Sequence, residues 1–266
     1  MPRLKSNHIE LYYEVCGVGQ PLVFIHGLGA SCRDWEAQVQ HLCKTHQVIT
    51  LDLRGHGRSD KPDGPYDVPM FVRDIIGLFD SLHIGPAHIV GWSLGGVIGF
   101  QFTLDFPIQV QTLTIVNSVP TFGDPVLFQQ EIDRRVGIVR QFGMRAMGLA
   151  LSEILFPKPE HAHLRESFVD RWAENDPRAY IEATKSGLGW SVIDRLSEIH
   201  CPTLIISADH DYWPVTDQQV WANLIPNGRF VVIPDSHHAV VIEQPDKLNA
   251  VLSQFLFAHS GFKSSQ

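Results

Sequence analysis

The chain has 266 residues, 44% of them hydrophobic and 19% charged, and 29 acidic side chains against 21 basic ones give a formal charge of −8. A chain of this length buries roughly 70–75% of the surface its unfolded form exposes, so it forms a core without disulfides or structural metals. Acidity without a Lys/Arg cluster repels a phosphate backbone and excludes nucleic acid as an expected partner.

The opening Met1-Pro2-Arg3-Leu4-Lys5-Ser6-Asn7 lacks the apolar run of a signal peptide, and no apolar stretch approaches the ~20 residues needed to cross a bilayer. A cytoplasmic protein without membrane contact is the expectation. Ile9, Leu11, Tyr13 and Val15 alternate with mostly polar neighbours, the period-two mark of a half-buried strand. Pro21–Ile25 is a continuous apolar run, as a strand buried on both faces would be, and it leads directly into His26-Gly27-Leu28-Gly29. Cys16, Cys32, Cys43 and Cys201 show no CxxC or ligand-like spacing and read as free thiols. Val48–Leu51 predicts the next strand.

Val68, Val72, Ile75, Phe79 and Leu82 recur at helical spacing and share one face. Two further strands are expected at Ala87–Val90 and Leu113–Val116, with a helical stretch at Val97–Leu104 between them. From about Pro120 to Trp190 no strand pattern appears, only amphipathic helical stretches broken near Pro125, Pro157, Pro159 and Pro177. Strands return at Thr203–Ile206 and Phe230–Ile233. A last helix carries Leu248, Val251, Leu252 and Phe255 with Pro245 in its first turn, and the residues from Ser260 onward read as a frayed tail.

Alternation of strand and helix implies an α/β fold, a mostly parallel central sheet with helices on both faces. Residues 1–119 and 191–266 are expected to form the core, and 120–190 an inserted helical cap over the carboxyl edge of the sheet, where such sheets bind ligands. Phe122, Phe128, Phe142, Met144, Met147, Phe156, Trp172 and Trp190 would either line an apolar pocket or pack the cap onto the core.

The strongest chemical signal is Gly91-Trp92-Ser93-Leu94-Gly95-Gly96, set between a predicted strand and a predicted helix. A sharp strand-to-helix turn leaves no room for side chains at the flanking positions, hence the glycines. It exposes the serine oxygen where backbone N–H groups face developing negative charge. Together with His26-Gly27-Leu28-Gly29 and Asp52-Leu53-Arg54-Gly55-His56-Gly57-Arg58-Ser59, this motif makes the chain resemble the α/β-hydrolase superfamily over nearly its whole length.

The resemblance implies Ser93 as nucleophile and the N–H groups of Leu28 and Leu94 as an oxyanion hole. It implies a supporting role for the Asp52–Ser59 loop, while His26 itself reads as a structural hydrogen bonder rather than a catalyst. The turn Ala208-Asp209-His210-Asp211 resembles the family's Gly-Asp-x-Asp, with Ala208 in place of glycine, and points to Asp211 as the acid; Asp209 stays open as the alternative and otherwise stabilises the turn. The family histidine stands five residues before an acidic residue leading into proline, and Glu243-Gln244-Pro245 selects His238 by that count. His237, at a position that is often glycine, remains the alternative base or a solvent-facing or supporting neighbour. No cofactor or metal is required, and HExxH and phosphate-loop patterns are missing from the sequence.

The implied chemistry is hydrolysis of an ester or lactone of a small to medium apolar carboxylic acid through an acyl-enzyme. Carbon–carbon hydrolysis of ring-cleavage products ranks second. A non-catalytic receptor for a small molecule on the same scaffold ranks third.

Overall fold

A computed structural model describes residues 2–260, so the expected frayed tail lies outside the described residues from position 261 onward. The strands are β1 (Arg3–Ser6), β2 (Ile9–Cys16), β3 (Gln20–Ile25), β4 (His46–Leu51), β5 (Ala87–Trp92), β6 (Val110–Val116), β7 (Thr203–His210) and β8 (Gly228–His237). The described residues form one eight-stranded sheet in the order β1-β2-β4-β3-β5-β6-β7-β8. β2 runs antiparallel to β1 and β4, and every pairing from β4 across to β8 is parallel.

The helices are α1 (Glu36–Leu42), α2 (Val68–Leu82), α3 (Leu94–Asp105), α4 (Pro125–Leu155), α5 (Ala162–Ala173), α6 (Pro177–Lys185), α7 (Val215–Leu224), α8 (Val240–Glu243) and α9 (Pro245–His259). None is long and apolar enough to cross a membrane.

Burial on both faces explains the continuous apolar run of β3. Leu22 and Phe24 join Val48, Trp35 and the Leu248, Leu252 and Phe255 stripe of α9 on one side. Val23 and Ile25 join Phe71, Ile75 and Leu78 of α2 and Val97 and Ile98 of α3 on the other. The start of α2 is set by Asp67, whose carboxylate accepts the Met70 N–H at 2.6 Å, and its end by His83 in the left-handed conformation with φ 52°. Arg54 and Asp74, 6% and 1% exposed, pair through two bonds of 2.5 and 2.6 Å and clamp the loop after β4 to α2.

Between β6 and β7 the chain runs through α4, α5 and α6. An antiparallel bridge between Thr121 and Ser191 draws the two ends of this excursion together. α4 is kinked at Gly143, whose φ of 80° and ψ of 179° are a conformation side-chain-bearing residues rarely adopt. The Trp172 ring of α5 lies against Gly29, and the Asn175 Nδ2 donates to the Gly29 carbonyl at 2.9 Å. The inserted helices therefore touch the loop that follows β3.

Candidate active site

The chemistry-bearing loops follow the carboxyl ends of β3, β5, β6, β7 and β8. Ser93 sits between β5 and α3 with φ 55° and ψ −119°. Such a backbone costs about 1–3 kcal/mol and persists only where its surroundings over-determine it. Here the Ser93 N–H donates to the Val116 carbonyl at 3.0 Å. The Ser93 carbonyl in turn accepts from the Gly96 N–H at 2.9 Å and the Ser118 hydroxyl at 2.6 Å. The flanking glycines answer to close backbone approach: a Cβ on Gly95 would lie 2.0 Å from the Ile25 carbonyl oxygen, and one on Gly91 2.2 Å from that of Gly95.

Three side chains from distant parts of the chain meet here. His238, just past β8, holds Nε2 at 3.0 Å from the Ser93 Oγ and Nδ1 at 2.6 Å from the Asp211 Oδ1. Its side chain is 8% exposed and that of Asp211 is fully buried. The second Asp211 oxygen accepts from Gln218 Nε2 of α7 at 3.2 Å. The Tyr212 ring stacks on the imidazole with centroids 4.2 Å apart.

The histidine backbone is fixed as firmly as its ring. The His238 carbonyl accepts from the Trp92 indole N–H and from Asn117 Nδ2, both at 2.9 Å. The Asn117 Oδ1 takes the Ala208 N–H at 2.7 Å, so one side chain ties the ends of β6, β7 and β8 together. The roles of Asn117 and Gln218 left no trace in motif or periodicity. Trp92 lies inside the Gly-x-Ser-x-Gly stretch, where its variable position hid its function.

The competing residues are engaged elsewhere. His237 Nδ1 bonds Glu243 Oε1 at 2.8 Å, and its own N–H reaches Glu243 Oε2 at 2.6 Å. It is thus anchored to a buried carboxylate, not turned to solvent. Asp209 accepts the N–H groups of Asp235 and Ser236 at 2.8 and 2.9 Å. It braces the end of β8. Burial pushes its carboxyl up, but these two N–H bonds outweigh that and hold it below the usual range.

Leu28 and Leu94 border the same space as Ser93 and His238. Among the described residues neither backbone N–H has a protein acceptor. That of Leu94 also opens α3, at the positive end of a helix dipole. His26 accepts the Leu53 N–H at Nε2, 2.9 Å away, and burial holds its pKa below the ordinary value. Burial, reinforced by His26, brings His56 to about 3. Asp52 accepts the N–H groups of Cys32 and Arg58, each at 2.8 Å, and so pins the loop to its neighbour.

A cavity of about 360 Å³ opens over Ser93 and is walled mainly by α4, α5 and the loops below them. Phe122, Phe128 and Trp172 line it. Met144, Met147 and Phe156 pack into the core instead, Phe142 is exposed, and Trp190 donates its indole N–H to Gln101. Among the described residues no group of three or more His, Cys, Asp or Glu side chains is arranged to hold a metal ion.

Known proteins share this arrangement of elements. Residues 22–251 match the model of the alpha/beta hydrolase family. The provisionally named carbamate hydrolase RutD of Caulobacter segnis is 31% identical over 258 residues, covering 92% of this chain and 95% of that protein. The enol-lactonase from Burkholderia xenovorans LB400 superposes with a TM-score of 0.90 at 26% identity, covering 96% of this chain and all (100%) of the other. A thermophilic esterase from Thermogutta terrifontis superposes with a TM-score of 0.91 at 26% identity, covering 98% and 100%.

Proposed function

The chain belongs to the alpha/beta hydrolase family, and on that premise we propose that it is a serine hydrolase cleaving an ester or lactone of a small to medium carboxylic acid. The observation that carries the reading is one imidazole bridging a serine hydroxyl at 3.0 Å and a buried carboxylate at 2.6 Å. In this mechanism His238 takes the proton as the Ser93 Oγ attacks the carbonyl carbon. Asp211 holds the imidazole with Nδ1 protonated and stabilises its positive form. The Leu28 and Leu94 N–H groups receive the oxyanion. His238 then protonates the leaving group and activates the water that cleaves the acyl-enzyme.

The helices α4, α5 and α6 serve as the cap that closes over the acyl group. Names among the relatives, an esterase and an enol-lactonase, support an ester or lactone carbonyl as the reacting group. The carbamate name of another supports the same attack on a related carbonyl.

The test is a substrate panel offered to the purified protein: p-nitrophenyl esters of rising acyl length, a lactone, a carbamate and a ring-cleavage dienoate. Esters or the lactone should turn over with the highest kcat/KM. Turnover confined to the dienoate would replace this reading with carbon–carbon hydrolysis. A folded protein inert to every member would count against an enzyme of this class.

A further inference from the structure

The wall of the cavity over Ser93 is not uniformly apolar. Its charged side chains are Glu131, Arg134 and Arg135, all on α4. The hydroxyls of Ser118, Thr184 and Ser186, which also border the cavity, each donate to a backbone carbonyl. Glu131 accepts two bonds of 2.7 Å from Arg134 and a third of 2.7 Å from Arg135 Nε. Burial pushes the Glu131 carboxyl up, but the hydrogen bonds from both arginines outweigh it and bring it to about 2. It therefore stays ionised, and two guanidiniums share one carboxylate with one positive charge left over.

That charge is lodged on Arg135. Its side chain is 19% exposed, against 45% for Arg134, which is the outward member. Among the described residues neither terminal nitrogen of Arg135 has an acceptor, since only Nε is engaged. Close to Arg135 lies Tyr180, whose buried hydroxyl also has no partner among the described residues. A half-buried guanidinium with a free two-nitrogen edge, set in an apolar wall, is costly unless something pairs with it.

We propose that this cavity recognises a substrate carrying a second, anionic group: an ester or lactone acid whose free carboxylate pairs with Arg135 while its scissile carbonyl lies at Ser93. The inference rests on the serine-hydrolase reading above and replaces the wholly apolar acid expected from the sequence with one that carries a free carboxylate at its far end. The planar fork of an arginine matches a carboxylate with two parallel bonds. A single surplus charge balances a monoanionic carboxylate and leaves a dianionic phosphate half-neutralised in an otherwise apolar space. The remaining walls, with Phe128, Ile132, Leu155 and Phe168 among them, suit the methylene or alkenyl stretch between the two ends.

The experiment compares p-nitrophenyl hydrogen succinate, glutarate and adipate with the p-nitrophenyl alkanoates of the same carbon count. The wild type should favour the carboxylate ester for at least one length. At that length Arg135→Met should lower the carboxylate-to-alkyl ratio of kcat/KM by about 10²-fold, mainly through KM, with Arg135→Lys in between. A wild type that prefers the alkyl ester at every length overturns the proposal and needs no variant to do so. Equal losses on both esters in Arg135→Met would overturn it as well, because they would mark a purely structural ion pair. Turnover of alkyl esters alone leaves the hydrolase reading in place while removing the carboxylate; no turnover of any ester together with no labelling of Ser93 by a fluorophosphonate removes both.

Discussion

His238→Ala is expected to lower ester turnover by about 10⁴–10⁶-fold, because members of a nucleophile–base–acid unit act together and loss of one disables the rest. His237→Ala should behave quite differently. Its imidazole is bonded to Glu243, and the imidazole that meets the Ser93 hydroxyl is that of His238, so turnover should stay within about tenfold of the wild type. The cost of that change falls on stability. Glu243 is fully buried and keeps the His237 N–H at 2.6 Å, but it loses its 2.8 Å partner at Oε1. A buried acceptor deprived of one bond costs about 1–3 kcal/mol. Steady-state kinetics on one p-nitrophenyl ester beside urea denaturation separates the two variants. Reversal of the kinetic pattern would move the base by one residue.

Asp211→Asn is the second large effect, with turnover expected to fall by about 10⁴-fold. The amide leaves the shape intact but favours the wrong imidazole tautomer and removes the charge that stabilises the protonated ring. Asp209→Asn should leave kcat nearly unchanged and weaken the fold, since Asp209 accepts the Asp235 and Ser236 N–H groups and touches neither Ser93 nor His238. The pH dependence follows from its depressed pKa. The stability Asp209 contributes is present above the ordinary aspartate value and is lost as pH falls below about 4 through the folded value. The variant should therefore lose part of the decline in stability that the wild type shows on acidification. Comparing unfolding free energies at neutral pH and near pH 3 checks the sign.

What could be read from the residues depended on whether burial wrote a pattern into them. β3 is buried on both faces and appears as the apolar run Pro21–Ile25, and β5, buried throughout, is apolar apart from His88; α2 packs one face and shows its four-three spacing. β1 contributes four residues with only Leu4 apolar, too short for any alternation to register. α7 escaped for a different reason: its buried positions are Gln218 and Ala222, so it lacks an apolar stripe. Gln218 is buried because it donates to Asp211 and Ser207, a requirement of the site that no hydrophobic period reveals.

The site itself divides along the same line. Ser93 announces itself through the glycines that close backbone contacts demand. Asp211 and His238 could be chosen over their neighbours only by resemblance, since Asp209 and His237 have the same chemistry one or two positions away. Glu243 guided the choice of His238 by its spacing, yet its carboxylate binds His237. The cavity wall was legible only as a group of aromatic and aliphatic residues, and Arg135 was hidden among the ordinary charges of an amphipathic helix. Its significance comes from the way α4 turns toward Ser93, a tertiary fact.

The most direct test of the central claim is to treat the folded protein with a fluorophosphonate and map the modified peptide by mass spectrometry. The account predicts a single adduct on Ser93, formed rapidly in the wild type, far more slowly in His238→Ala and not at all in Ser93→Ala. An adduct on another residue, or equal labelling of the wild type and His238→Ala, would contradict a serine activated by this histidine.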